Sequence, residues 1–332
     1  MVGDPLNIFL EPIWYFADPA KRLYWLHLFG SLMLAGCYFW LKRSDRTVWI
    51  ALRQLCERGY WWNPSTRIDY VLLFFNAALK IGVFVPLVGG QLAVALATAR
   101  FIHLNIAETP ALSASPVMIS LLFTVTAFVL DDLTRFLTHA AMHRNAFLWR
   151  FHRLHHSATT LTPFTVFRTH PVESLINYLR AILSLGVVSG AFIWMFGPQL
   201  QVWDILGVNA LGFALTFAGS NLRHSHIPLH FGWMERILIS PAQHQLHHSK
   251  YHQHCNLGSY LSVWDRLAGT CVHGVLARDL EYGLRSSAGT VTPTSVAEQQ
   301  ADGNELASLM GECRKMHSGD GVGAPLDHAA AY

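Results

Sequence analysis

The sequence predicts an all-α integral membrane protein, with four to six transmembrane helices and a histidine-rich helical cap on the cytoplasmic side. Three observations predict it. Of 332 residues, 52% are hydrophobic and only 14% charged, whereas a soluble domain carries about 25% charged residues. The apolar residues are gathered into runs near the roughly 20 residues that a helix needs to cross a bilayer. Nineteen histidines are concentrated in short patterns just outside those runs. The remaining composition narrows the class further. A net charge of +3, with no run of lysine or arginine, argues against a nucleic-acid partner. The five cysteines are odd in number and form no CxxC pair, which fits reduced thiols on the cytoplasmic side better than a disulfide framework or a thiolate zinc site.

Taken in order, the N-terminus contains Asp4, Glu11 and Asp18 rather than the basic start of a cleavable signal. The first expected span is Leu23 to Leu41, uncharged throughout. The second apolar stretch, about Tyr70 to Ala99, is interrupted by Lys80, Pro86 and Gly89-Gly90; it is either one tilted span or a broken pair. A third runs from Pro116 to Leu130. The fourth and fifth, about Leu175 to Phe196 and Val202 to Ala218, are joined by Gly197-Pro198-Gln199, short enough for a helical hairpin. From about Ser286 the chain is rich in Gly, Ala, Ser, Thr, Glu and Asp without apolar periodicity, the composition of a disordered tail. The resulting division is 1–115 for the N-terminal spans and basic loop, 116–285 for a catalytic unit, and 286–332 for the tail.

Orientation follows from positive charge. The segment between the first two runs holds Lys42, Arg43, Arg46, Arg53, Arg58 and Arg67, while Phe101 to Ser115 holds no lysine or arginine. The positive-inside rule places the former in the cytoplasm. With one crossing for the second stretch, the histidine-rich segments 139–170 and 224–254 both fall on the cytoplasmic side.

Those segments contain His139-x-x-x-His143, His152-x-x-His155-His156 and His244-x-x-His247-His248. Positions i, i+3 and i+4 share one face of a helix, so each pattern directs its imidazoles to one point. At this histidine frequency a single HxxHH is expected roughly 0.06 times by chance; the chain has two. Neutral imidazole suits iron, zinc, copper and nickel, and eight such ligands suit two ions in one site. A closed structural zinc site uses four ligands, often cysteine. A metal transporter would place its site at mid-membrane on discontinuous helices, whereas these histidines flank the spans. A zinc hydrolase would need a general base near its ligands, and no HExxH occurs.

The run Leu130-Asp-Asp-Leu-Thr-Arg-Phe-Leu-Thr-His139 through His143, followed by Leu148-Trp-Arg-Phe-His-Arg-Leu-His-His-Ser157, resembles the fatty acid hydroxylase/sterol desaturase superfamily. So do Arg168-Thr-His-Pro-Val-Glu173, Ser240-Pro-Ala-Gln-His-Gln-Leu-His-His-Ser249, and Asn256-Leu-Gly258 with Trp264-Asp-Arg-Leu-Ala-Gly-Thr270. The resemblance covers roughly 116–271. Ala140 and Phe136 stand where the family often has arginine and tyrosine, which leaves the subfamily unassigned. The resemblance implies a cap holding two iron ions (zinc being possible as isolated) and hydroxylation or desaturation of a sterol, fatty acyl chain or related lipid. It further implies O2 as oxidant, electrons from a separate redox protein, and a bacterial inner membrane or endoplasmic reticulum as the location. It puts His139, His143, His152, His155, His156, His244, His247 and His248 in the ligand role, with His224 as the ninth ligand and His226 as its alternative. His170 is either a ligand, a partner of one, or a helix cap. No catalytic side chain beyond the metal ligands is expected. Ligating imidazoles need acceptors for their second N–H, for which Asp132, Glu173, Asn256 and Asp265 are candidates; His252 and His254 are expected nearby without binding metal. The chain has no GxGxxG, and His170-Pro171 lacks the glycines of a haem-binding element, so no fused redox domain is expected.

Overall fold

The computed structural model describes residues 5–42, 46–110, 112–197, 210–276 and 280–284. Among these the regular structure is helical, with only two isolated bridges, Leu238 with Leu261 and Ser249 with Tyr282. The helices are α1 (Pro5–Trp14), α2 (Trp25–Leu41), α3 (Arg46–Cys56), α4 (Arg58–Trp61), α5 (Pro64–Leu79), α6 (Val85–Val88) and α7 (Gln91–Asn105). They continue with α8 (Pro116–Arg144), α9 (Ala146–His156), α10 (Pro171–Phe196), α11 (Ala210–Phe217), α12 (Pro241–His248) and α13 (Val263–Ala268).

Helix starts are written locally. Asn63, Ser115, His170 and Ser240 each accept a hydrogen bond from a backbone N–H of the first turn, and each is followed by proline at the first helical position. The capping side chain satisfies a donor that the helix leaves open, and proline has no N–H to satisfy there.

Three helical segments are long and apolar enough to cross a membrane: Pro64–Asn105, Pro116–Arg144 and Pro171–Phe196. Their outward side chains are apolar and exposed, among them Leu87, Leu92, Val117 and Leu121, the arrangement that lipid rather than water rewards. Helix α2 has 17 residues and spans about 25 Å at 1.5 Å per residue, shorter than the hydrocarbon thickness of about 30 Å. The expected fifth span is described only over α11; its first part and the Pro198-Gln199 turn lie outside the described residues, as does the tail from 286.

The stretch interrupted by Lys80, Pro86 and Gly89-Gly90 is one path, not a hairpin. A π-helical turn, Lys80–Phe84, and a bend at Gly89 (φ 81°) break it without reversing it. Its contacts advance in step with α10. Asn76 donates to the Thr169 carbonyl at 2.9 Å, Tyr178 donates to the Gly89 carbonyl, Gln91 to the Ser189 hydroxyl at 3.2 Å, and the Trp194 indole to the Ala107 carbonyl at 3.0 Å. Close approach of α7 to α10 requires glycine. A Cβ on Gly186 would stand 2.6 Å from the Val94 Cβ, and one on Gly190 would stand 2.5 Å from the Ala95 carbonyl oxygen, the small-residue contact by which helices pack in lipid.

Helix α8 packs on the other side of α10 through Ile119, Phe123 and Ala127 against Val188, Phe192 and Phe196. The apolar run ends near Leu130, as expected, yet the helix continues to Arg144. Asp131 makes this possible by pairing with Arg135 one turn on and with Arg180 of α10, both at 2.7 Å. The continuation carries His139 and His143 out of the apolar region on a rigid rod, onto which α9, α12 and the loops around them fold.

Candidate metal centre

Helix α12 is the centre of the cap, and all eight of its residues, PAQHQLHH, are buried. So polar a helix is buried because each polar group has an assigned task. Gln245 donates to the carbonyls of Leu222 and Ile227 at 2.9 and 2.8 Å, and Gln243 donates to that of Val272 at 3.1 Å. Leu246 and Ala242 pack with Cys255 and Val272. What remains on the third face is His244, His247 and His248. Helix α9 is capped by Asn145 and brings in His152, His155 and His156 in its last turns. The 3-10 turn Ser220–His224 supplies His224.

The structure brings all nine sequence-predicted histidines together, and it sorts them into two groups. One comprises His139, His143, His152, His156 and His247; the other comprises His155, His224, His244 and His248. Within each group the facing atoms lie within 4.8 Å of one another. The groups adjoin, since the rings of His156 and His248 stack at 4.7 Å and those of His247 and His248 meet at 5.3 Å.

The spacing fits a cation. In the four-membered group, Nε2 of His224 lies 3.1 Å from that of His248 and 3.1 Å from that of His244, and the last two are 3.2 Å apart. In the other, Nε2 of His139 is 3.1 Å from that of His152 and 3.2 Å from that of His143. A triangle of three imidazole nitrogens cannot be satisfied by hydrogen bonds when each neutral ring has only one proton to give. Nitrogens held about 2.0–2.1 Å from a common ion stand roughly 3.0–3.4 Å apart. Nε2 of His247 and of His156 is buried with no hydrogen-bond partner among the described residues. Burial also keeps these bases neutral. It lowers His152 and His155 to about 3, and it lowers His156, His224, His244, His247 and His248 well below the usual imidazole value. A neutral imidazole is the form that binds metal.

Three rings of the five-membered group are oriented from behind. The Nδ1–H of His139 donates to the Leu257 carbonyl at 2.7 Å and that of His247 to the Cys255 carbonyl at 2.9 Å. That of His152 donates to Glu173 at 2.9 Å. A backbone carbonyl can only accept, as does Glu173 when ionised, so the proton is held on Nδ1 and the lone pair of Nε2 faces the group.

Of the four expected acceptors, only Glu173 contacts a ligand histidine. The other three hold the loop that provides the carbonyls, which corrects the expectation. Asp265 receives the N–H groups of Leu257 and Gly258, both at 2.7 Å, and the Thr270 hydroxyl at 2.6 Å. Asp132 receives those of Tyr260 and Leu261 and the Trp264 indole at 2.8, 3.0 and 2.9 Å. Asn256 has a left-handed backbone (φ 52°), accepts from Val272 N–H at 2.7 Å and donates to the Gln243 carbonyl at 3.0 Å. Backbone carbonyls leave no mark in a sequence; the cluster Asn256-Leu-Gly258 was the only trace of this loop.

His170 is a helix cap: its Nδ1 accepts the Val172 N–H at 3.2 Å. His226 lies outside both groups, its ring against Tyr60 at 4.7 Å. His252 contacts Ser249 at 3.0 Å and the His254 ring stands 5.9 Å from that of His143; both are close to the groups without belonging to them. A brace that the sequence reading passed over is Asp69 with Arg168, fully buried and 3.0 Å apart. Arg168 also donates to the Leu154 carbonyl at 3.1 Å and to Ser157 at 2.9 Å, which ties α5 to the end of α9.

Comparison with known proteins places this site in a lineage. The family model described as fatty acid hydroxylase matches residues 124–270, the span that contains all nine histidines. An ornithine lipid hydroxylase of Rhizobium tropici is 29% identical over 189 residues, 55% of this chain and 53% of its own. A Delta(7)-sterol 5(6)-desaturase of Gibberella zeae is 24% identical over 147 residues, covering 44% and 41%. The alkylglycerol monooxygenase of Homo sapiens is 23% identical over 174 residues, covering 52% and 35%. The chain thus spans about half or less of the length of these relatives. No solved structure matches it.

Proposed function

We propose that this chain, which belongs to the fatty acid hydroxylase/sterol desaturase superfamily, is an integral membrane oxygenase that oxidises an unactivated C–H bond of a lipid at two histidine-bound iron ions. The observation that carries the reading is the division of nine imidazoles, eight buried and His139 half-buried, into adjoining groups of five and four. His139, His143, His152, His156 and His247 would hold one ion, and His155, His224, His244 and His248 the other. When bound, the ions would supply the O2-dependent removal of hydrogen that leads to an alcohol or an alkene. The same nitrogens also accept zinc, so metal content on isolation depends on supply.

The chain's own residues do the positioning. The carbonyls of Leu257 and Cys255 and the carboxylate of Glu173 hold three ligand rings in the tautomer that presents Nε2. The brace Asp69–Arg168 fixes the end of α9. Burial of α12 excludes water from the ligand faces, which suits chemistry whose reactive species water would quench. A lipid substrate is supported by the apolar outer faces of three long helices and by relatives whose names specify an ornithine lipid, a sterol and an alkylglycerol. The catalytic unit is 116–285, with its cap in the cytoplasm, where a separate redox protein delivers electrons.

The test is iron content together with lipid-dependent O2 consumption of purified, iron-loaded protein supplied with a chemical reductant, with products followed by mass. Gain of 16 or loss of 2 mass units in a lipid supports the reading (an added oxygen or two lost hydrogens). Iron bound at the histidines without any lipid-dependent O2 uptake across sterol, acyl and ether-lipid substrates contradicts it.

A further inference from the structure

Among the described residues, buried Arg168 pairs with Asp69, and Arg180 shares Asp131 with the half-exposed Arg135. Arg223 has no such partner. It is 6% exposed, yet no carboxylate lies within 4.0 Å of it among the described residues. It donates to the carbonyls of Ser259 and, at 3.3 Å, Ile239, its Cζ lies 5.3 Å from the Tyr260 ring centroid, and its Nε has no partner. Arg22 approaches the same place. It reaches the Ser220 carbonyl at 3.5 Å and interacts with Tyr260, again without a carboxylate partner among the described residues. The acid whose charge reaches Arg223 is Asp132, which is itself engaged by two backbone N–H groups and the Trp264 indole. A buried charge normally has a counter-charge, because leaving it unpaired in a low-dielectric surrounding is costly.

Arg223, Ser220 and Tyr260 line a cavity of about 250 Å³ whose other walls are apolar, including Leu34, Leu215 and Ala218. This volume approaches the lower end of ligand sites in general. Its lining is tied along the chain to the four-histidine group, since Arg223 precedes His224 and Pro241, which also lines it, starts the helix that carries His244. An apolar chamber that has a cation without a carboxylate partner in its wall suits an amphiphile with an anionic group.

We propose that this cavity binds the hydrocarbon of an anionic amphiphile, a carboxylate or phosphate of which pairs with Arg223 and Arg22. The inference deepens the lipid reading above by naming the charge of the lipid, and only its substrate role rests on that reading. Equilibrium binding to the full-length, metal-loaded protein in neutral detergent tests it, with radiolabelled oleate as the carboxylate probe, dioleoyl phosphatidic acid as the phosphate probe, and oleyl alcohol and dioleoylglycerol as their neutral counterparts. At least one anionic probe should bind about tenfold more tightly than its neutral counterpart, a difference of about 1.4 kcal/mol. Preference for oleate alone identifies a carboxylate source and preference for the phosphatidic acid alone a phosphate source. Arg22→Gln should remove most of the preference and Arg22→Lys should retain most of it, while Ala218→Phe should weaken anionic and neutral probes alike by filling the chamber. Arg22 and Ala218 are used because Arg223 also holds two carbonyls, and its loss could unfold the cap. Equal binding of charged and neutral probes, or binding unchanged in both Arg22→Gln and Ala218→Phe, overturns the proposal. No O2 is needed in this assay. Selective anion binding by a protein that oxidises no lipid would therefore sink the oxygenase reading alone, and lipid oxidation without anion selectivity would sink this one alone.

Discussion

The two histidine groups are made of the same side chain, but they differ in what stands behind the rings. In the group of five, His139, His152 and His247 donate Nδ1–H to Leu257, Glu173 and Cys255. In the group of four, Nδ1 of His244 and His248 has no hydrogen-bond partner among the described residues, as is also true of His143 and His156 in the group of five; the Arg168 backbone stands behind His155. Orienting partners fix the tautomer and raise ligand basicity. The comparison teaches that the group of five has more of its rings oriented by the scaffold, three of them, than the group of four. The five-histidine ion should therefore be held more tightly, and chelation should remove the four-histidine ion first.

The largest effects come from the ligands themselves. His247→Ala and His244→Ala should each abolish measurable turnover and each lose one of the two ions, with membrane insertion retained because the apolar helices direct insertion. Metal analysis of membrane-extracted protein checks this. Retention of both ions and full activity in either variant would break the assignment. Next in size is Glu173→Gln, which leaves a neutral acceptor behind His152. Loss of such a partner costs roughly 10–100-fold in metal affinity or activity, and chelator titration should place the whole loss in the five-histidine group. An equal loss in both groups would show that they do not bind independently.

Much of this was legible in the sequence. The i, i+3, i+4 spacing of three motifs placed eight histidines on common faces, and His224 came from the family resemblance alone. Glu173 was legible as a candidate acceptor in the Arg168-Thr-His-Pro-Val-Glu173 element. The carbonyls of Leu257 and Cys255 were not, because every residue has one and only the loop conformation selects those two. Asp265 and Asp132 were read as candidates for contacting histidines because an acid near a ligand resembles an acceptor; they act one step further out, on the N–H groups of that loop. Asp69 sits at the start of an apolar run and gave no sign that Arg168, about 100 residues later, would pair with it. The single path through Lys80–Phe84 and Gly89 depended on α10 running alongside, a tertiary fact that local glycine and proline signals leave open.

A smaller effect, common to both groups, follows from burial. His152 and His155 titrate near 3 in the folded chain and near 6.5 when unfolded. Between those values the unfolded metal-free chain holds more protons, so stability rises with pH and is lost as pH falls from about 6.5 toward 3. Each histidine contributes about 1.4 kcal/mol per pH unit across that window. Thermal unfolding of metal-free protein from pH 7 to 4 should show a steep fall, and a flat profile would mean that water reaches the ligands. The smallest effect is expected from a stop after Ser287, whose removed segment lacks apolar periodicity. Metal content and activity with a chemical reductant should stay within about twofold; loss of activity only with a protein electron donor would make the tail a docking segment, and loss of metal would place it within the fold.

The central claim, two ions on nine histidines in unequal settings, is tested most directly by Mössbauer spectroscopy of the protein reconstituted anaerobically with iron-57. The account predicts two ferrous ions per chain in distinguishable nitrogen environments, with His244→Ala retaining one component and Glu173→Gln altering that same retained component. A chain that binds no more than one ion, or one whose spectrum is unchanged by His244→Ala, would contradict it.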